Sequence, residues 1–183
     1  MMYSFSFIKT FVRDFIYVFC NYFVSNIPIW WLRKLIFILL GMKIGKGSRI
    51  CMKCTIMSPW KISIGKNTMV NEYVLLDGRG GLFIGDDCAI SMGAIIYTAS
   101  HYVNSSTFQY YSKKTEIMNC CWLGARCIIL PGSRLDNKTV IGANSVFKGI
   151  SKENDILVGN PANVIRKRNV HYTYHQNILN YFK

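Results

Sequence analysis

The stretch Ile44-Gly45-Lys46-Gly47-Ser48-Arg49-Ile50-Cys51-Met52-Lys53-Cys54-Thr55-Ile56 places an aliphatic residue at every sixth position. The phase resumes at Ile64, Val70 and Leu76 after a slip of two residues, and at Ile84, Ile90 and Ile96 after a second slip. A longer interruption precedes Ile117, Leu123, Ile129, Leu135 and Ile141. Neither an α-helix nor a half-buried strand repeats at six. A β-solenoid does, because each hexad supplies one short strand and one corner. Three hexads make a triangular coil, and stacked coils bury a continuous core that no single hexad could bury. The fold class is therefore an all-β solenoid.

A second column runs four residues behind the first: Ser48, Cys54, Thr68, Val74, Cys88, Ala94, Ser100, Cys121, Cys127, Ser133, Thr139 and Ser145. Small side chains there suit a crowded bend. Glycine follows the aliphatic residue at Gly45, Gly65, Gly85, Gly124 and Gly142, where it is expected to free the backbone to turn.

The chain of 183 residues carries a net charge of +13. No Asp or Glu occurs from Phe15 to Asn71, a span holding Arg33, Lys34, Lys43, Lys46, Arg49, Lys53, Lys61 and Lys66. That bias favours anionic partners such as lipid headgroups or acidic glycans. No nucleic-acid-binding motif accompanies it, so no nucleic-acid partner is expected. Four of the seven cysteines occupy the small-residue column, and Cys51-x-x-Cys54 has no second pair to complete a zinc site. Reduced thiols, a cytoplasmic setting and no metal are expected.

Three segments emerge. Residues 1–42 are apolar and aromatic: an amphipathic helix from Phe5 to Val24, a break at Pro28, then an apolar helix from Trp30 to Leu40 stopped by Gly41. Neither approaches the roughly 20 apolar residues that span a bilayer. No small-residue cleavage site marks a signal peptide. Trp and Tyr beside Lys and Arg suit peripheral contact with the inner membrane face, and capping of the open solenoid end is the alternative. Residues 43–168 form the solenoid, interrupted by a polar and aromatic loop at 102–115, and residues 169–183 form a tail. A loop leaving a rigid repeat is a frequent seat of function.

His101 is the single histidine of the repeat region and stands at the root of that loop; His171 and His175 lie in the tail. Imidazole ordinarily titrates near ~6.5, so it can take a hydroxyl proton at neutral pH. Four motifs accompany it: Tyr97-Thr98-Ala99-Ser100-His101, Trp122-Leu123-Gly124-Ala125, Ile141-Gly142-Ala143-Asn144-Ser145, and Gly159-Asn160-Pro161-Ala162 followed by Arg166. With the hexads they resemble the hexapeptide-repeat acyltransferase superfamily over roughly Ile44 to Arg168. The resemblance is nearest to the polysaccharide, colanic-acid, maltose and galactoside types of O-acetyltransferase.

That resemblance implies a left-handed parallel β-helix, a homotrimer, and acetyl-CoA as co-substrate with direct transfer to a sugar hydroxyl. It implies His101 as general base and Asn71, Asp77 and Arg79 at the acceptor. Trp122, Gly124, Ala125, Gly142 and Ala143 would line the path of the pantetheine arm, and Lys148 and Arg166 would meet the phosphates. Asn144 replaces the family's usual Gly, and Phe147-Lys148-Gly149 is one residue shorter than the usual turn. The acceptor implied is a sugar or glycan of a surface polysaccharide, free or lipid-linked. N-acetylation of a nucleotide-linked amino sugar is the competing reaction, but its relatives carry an N-terminal domain larger than residues 1–42. A non-enzymatic scaffold on the same fold is the competing non-catalytic reading.

Overall fold

The computed structural model describes residues 2–169. Five triangular coils stack in register. The first holds β1 (Lys43–Ile44), β2 (Arg49–Ile50) and β3 (Thr55–Met57); the second β4 (Ile62–Ile64), β5 (Met69–Val70) and β6 (Leu75–Asp77). The third holds β7 (Leu82–Ile84), β8 (Ala89–Ile90) and β9 (Ile95–Ile96). A hairpin then leaves the solenoid as β10 (Ala99–His101) and β11 (Tyr110–Ser112). The fourth coil comprises β12 (Thr115–Ile117), β13 (Trp122–Leu123) and β14 (Ile128–Ile129), and the fifth β15 (Arg134–Leu135), β16 (Val140–Ile141) and β17 (Val146–Phe147). A sixth coil begins with a bridge from Ile150 to Arg134 and continues as β18 (Asp155–Gly159) on β16. β19 (Ala162–Lys167) folds back antiparallel on β18.

The strands form three parallel faces: a first sheet β1-β4-β7-β12-β15, a second β2-β5-β8-β13-β16-β18-β19 and a third β3-β6-β9-β14-β17. Only β19 in the second sheet runs antiparallel. The aliphatic column fills the interior: Ile56, Leu76, Ile84, Ile90, Ile96, Ile117, Leu123, Ile129, Leu135 and Ile141 are completely buried. Burying each such side chain stabilises the fold by about 1.5–3 kcal/mol before entropy is counted.

The small-residue column does more than fit a bend. Thr68 Oγ1 donates to Gly85 O at 2.7 Å, and the Cys54, Cys88 and Cys121 thiols point to Asn71 O, Met118 O and Asp136 O at 3.0–3.2 Å. These donors tie each coil to the next. Burial pushes the Cys54 and Cys127 thiols up to about 12, so they stay protonated at neutral pH. Ser100 departs from the column: it lies exposed in β10, outside the solenoid wall.

The glycine expectation also needs correction. The backbone turns two residues after Gly65, Gly85, Gly124 and Gly142, where Asn67, Asp87, Arg126 and Asn144 adopt φ of 50–57°. The glycines are required instead by close stacking. A Cβ on Gly124 would lie 2.6 Å from Ala143 N and 2.8 Å from Gly142 C.

The N-terminal segment folds as α1 (Met2–Val18), a π-turn Phe19–Phe23, a 3₁₀ turn Val24–Asn26 and α2 (Trp30–Leu39). It covers the open edge of the first coil. Asn21 Nδ2 donates to Ile56 O at 3.0 Å while its Oδ1 accepts from Ile56 N at 2.7 Å. Ser25 Oγ donates to Cys54 O, and Arg33 Nη2 to Ile50 O. An uncovered sheet edge would offer these groups to another chain. Arg33, grouped by sequence with the basic surface, is buried among them and lies 5.5 Å over the Trp30 ring.

Coil length varies at a single corner. Ile44 pairs with Ile64 and Ile64 with Ile84, twenty residues on, whereas Ile117 pairs with Leu135, eighteen on. The two slips and the long interruption all fall where the third sheet turns into the first. They are the Pro59–Lys61 turn, the Gly78–Gly81 bulge and the β10–β11 hairpin. Three irregularities spread along the sequence thus stack on one edge.

Candidate active site

Asp77 ends β6 and has no exposed surface. Its Oδ1 accepts from Arg79 N and Nε, both at 2.9 Å; its Oδ2 accepts from Arg79 Nη2 at 3.0 Å and Thr98 N at 2.9 Å. Thr98 Oγ1 donates back to Asp77 O and accepts from Gly80 N at 2.7 Å. Burial alone would push this carboxyl up. The hydrogen bonds from Arg79 and Thr98 outweigh it and hold Asp77 below the usual carboxylate range. Asp77 was expected at the acceptor. With four donors on two buried oxygens it presents nothing to a ligand, and it positions Arg79 and the root of the β10 strand instead. Arg79 remains about one-third exposed.

His101 ends β10, three residues beyond Thr98. Its Nδ1 lies 2.7 Å from Phe108 O. A carbonyl only accepts, so Nδ1 carries a proton, and in the neutral ring the lone pair falls on Nε2. The Phe108 ring stacks on the imidazole at 4.0 Å, and Tyr110 approaches edge-on at 5.7 Å. Phe108 holds φ at 51°, a costly conformation for an aromatic residue. The turn is pinned from inside: Ser105 Oγ accepts from Thr107 N and Gln109 N. The interruption read as a loop at 102–115 is thus a hairpin whose first strand begins at Ala99 and carries His101 itself.

The other expected residues lie on a different edge, where the second sheet turns into the third. Asn71, Gly124 and Gly142 follow the aliphatic residues of β5, β13 and β16, and Ala125 and Ala143 stand exposed beside the two glycines. Asn71 Nδ2 donates to Ile90 O at 3.1 Å. Trp122, half exposed on the outer face of β13, donates from Nε1 to Ser91 Oγ at 3.1 Å. The Gly124 N–H is taken by Ile141 O, so Ala125 is the remaining amide of that pair for a ligand. Lys148 follows β17 at the corner leading to the first sheet, while Arg166 lies exposed on β19 at the end of the second sheet. The fold brings Asn71, Trp122, Gly124, Ala125, Gly142 and Ala143 to one edge. It places His101 and Arg79 on another, with the third sheet between.

Sequence reading missed Trp60, Lys61 and Tyr110, which line a cavity beside Arg79. The two-residue slips were the available signal, since Trp60 and Lys61 sit in the first. His171 and His175 fall outside the described residues.

No family model matches the chain. It is 37% identical over 131 residues to a protein of Escherichia coli strain K12 that bears the name colanic acid biosynthesis acetyltransferase, covering 71% of each. The structure superposes on a maltose O-acetyltransferase from Clostridium difficile 630 with a TM-score of 0.79, at 25% identity, over 86% of this chain and 87% of that one. It also superposes on a hexapeptide-repeat acetyltransferase from Vibrio cholerae, solved with acetyl coenzyme A, with a TM-score of 0.75 and 24% identity, over 81% and 82% of the two chains. Mirror-image coils do not superpose, so these likenesses make the solenoid left-handed. A six-residue period wound into a left-handed parallel β-helix, with this degree of identity to an acetyltransferase over most of both chains, places the protein in the hexapeptide-repeat acetyltransferase family.

Proposed function

We propose that this chain transfers the acetyl group of acetyl-CoA directly to a sugar hydroxyl during assembly of a surface polysaccharide. The observation that carries the reading is the 2.7 Å contact of His101 Nδ1 with the Phe108 carbonyl, which holds the Nδ1 proton so that, in the neutral ring, Nε2 is the nitrogen that can act as a base. Nε2 takes the hydroxyl proton as the sugar oxygen attacks the thioester carbonyl. The C–S bond breaks, the imidazolium returns the proton to sulfur, and free CoA leaves. Asn71 has one amide hydrogen beyond its bond to Ile90 O. That hydrogen and the Ala125 amide are the donors proposed for the developing oxyanion.

The edge carrying Trp122, Ala125, Gly142 and Ala143 suits an extended thiol arm, because glycines and alanines keep side chains out of its way. Lys148 and Arg166 supply cations for phosphates. His101 stands on a different edge from Trp122, Ala125, Gly142 and Ala143, so we assign the complete site to the junction of two chains in a homotrimer. The sugar acceptor is supported by the names of the relatives. Among the described residues no helix is long and apolar enough to cross a membrane. Phe11, Phe15, Tyr22, Phe23, Trp31 and Leu39 are exposed on the N-terminal cap, which supports peripheral contact with the inner membrane face and a lipid-linked acceptor.

The test is CoA release against a panel of sugars and glycans, wild type beside His101→Ala. Acceptor-stimulated release cut about 10²–10⁴-fold in the variant is expected. Equal turnover in both would refute the base assignment. Sedimentation measures the trimer, and vesicle flotation with and without residues 1–42 measures the membrane contact.

A further inference from the structure

A cavity of about 690 Å³ opens between α1 and the edge on which the two slips and the hairpin stack. Arg13 and Tyr17 reach it from α1, Trp60 and Lys61 from the first slip, Arg79 from the second and Tyr110 from the hairpin. Tyr110 also touches the His101 ring, so the cavity adjoins the proposed base. Its three aromatic side chains offer flat apolar faces beside polar groups, a composition suited to a small ring-shaped ligand.

The charges have a definite balance. Asp77 lies buried behind Arg79 and occupies its Nε and Nη2, which leaves Nη1 unengaged and the guanidinium held in place. Arg13 and Asp14 at the cavity mouth pair with each other at 3.3 Å. Lys61 donates to Arg79 O at 3.1 Å, and no carboxylate pairs with it among the described residues. An ammonium has three donors, so two remain. The uncompensated charge of the lining is positive, and Lys61 and Arg79, both lining the cavity, keep donors beyond these bonds.

We propose that this cavity is an acceptor subsite for an anionic group, a carboxylate or phosphate, carried by the glycan whose hydroxyl reaches His101. The assignment rests on the acetyl-transfer reading. The group could belong to a hexuronate within the glycan or to a diphosphate joining it to a lipid. Both present oxygens that a rigid guanidinium and an ammonium recognise.

The test is calorimetric titration of the full chain with a hexuronate-containing disaccharide, its carboxyl-reduced neutral counterpart, and inorganic diphosphate. At least one anionic probe is expected to bind about tenfold or more tightly than the neutral disaccharide. Which probe does so separates the two sources. Lys61→Glu is expected to erase the preference and Lys61→Met to reduce it. Unchanged circular dichroism in the near-isosteric Met variant excludes misfolding. With an accepted anionic glycan, Lys61→Met should raise KM more than it lowers kcat. Equal binding of neutral and anionic probes, or a preference that survives in Lys61→Glu, would overturn the proposal. His101-dependent transfer that ignores acceptor charge would sink the subsite and spare the acetyl-transfer reading. Charge-selective binding without His101-dependent transfer would do the reverse.

Discussion

Replacing Asp77 by Ala should loosen, at its root, the edge that carries His101. The side chain accepts four hydrogen bonds, three from Arg79 and one from the Thr98 amide. Thr98 is completely buried, so its N–H would lose its acceptor without gaining water, a cost of about 1–3 kcal/mol. Arg79 is partly exposed and water would replace much of its ion pair, which limits that loss to about 1 kcal/mol. The expected destabilisation is therefore about 2–4 kcal/mol. At about 2–4 °C per kcal/mol for a chain of this size, Tm should fall by roughly 4–16 °C in a thermal melt followed by circular dichroism. The pH dependence has a definite sign. Asp77 titrates below its ordinary value when folded, so its contribution is fully present above the ordinary carboxylate range. It is lost as pH falls through the depressed folded pKa. Wild type and variant should differ at neutral pH and converge in acid, and kcat should fall in the variant because Thr98 leads into the strand bearing His101. A Tm within about 2 °C of wild type at neutral pH, with unaltered kcat, would refute the view that this carboxylate holds the hairpin.

Phe108→Ala removes the ring stacked on His101 but keeps the backbone carbonyl; a fall in kcat of about 2–10-fold is expected from a stacking contribution of about 0.5–1.5 kcal/mol, read by CoA release across pH. Gly124→Ala drives a methyl into the backbone of the next coil at 2.6 Å, and chemical denaturation should show a loss of about 1–3 kcal/mol or insoluble protein. Asn21→Ala leaves both polar groups of Ile56 unmet at the coil edge; about 1–3 kcal/mol should be lost, with faster amide exchange at Ile56.

The hexad register alone determined the solenoid and its buried column, and it marked an interruption at 102–115 that the structure starts earlier, at Ala99. These are local properties: six residues make one side of a coil, and an aliphatic residue at the same place on each side must enter the core. His101 was legible as a candidate base by its position beside the interruption. The sequence did not show that Trp60, Lys61, Arg79 and Tyr110 share a cavity, because residues adjacent between coils lie eighteen, twenty or more positions apart. The slips marked those positions, and only stacking revealed that all fall on one edge. Burial likewise decided the fate of two charged residues that look alike in sequence to many others. Arg33 serves the backbone of the first coil and Asp77 serves Thr98 and Arg79, since a charge removed from water must be matched by fixed partners. The partner of His101 Nδ1 is a carbonyl seven residues away, brought there by a hairpin that no hexad encodes.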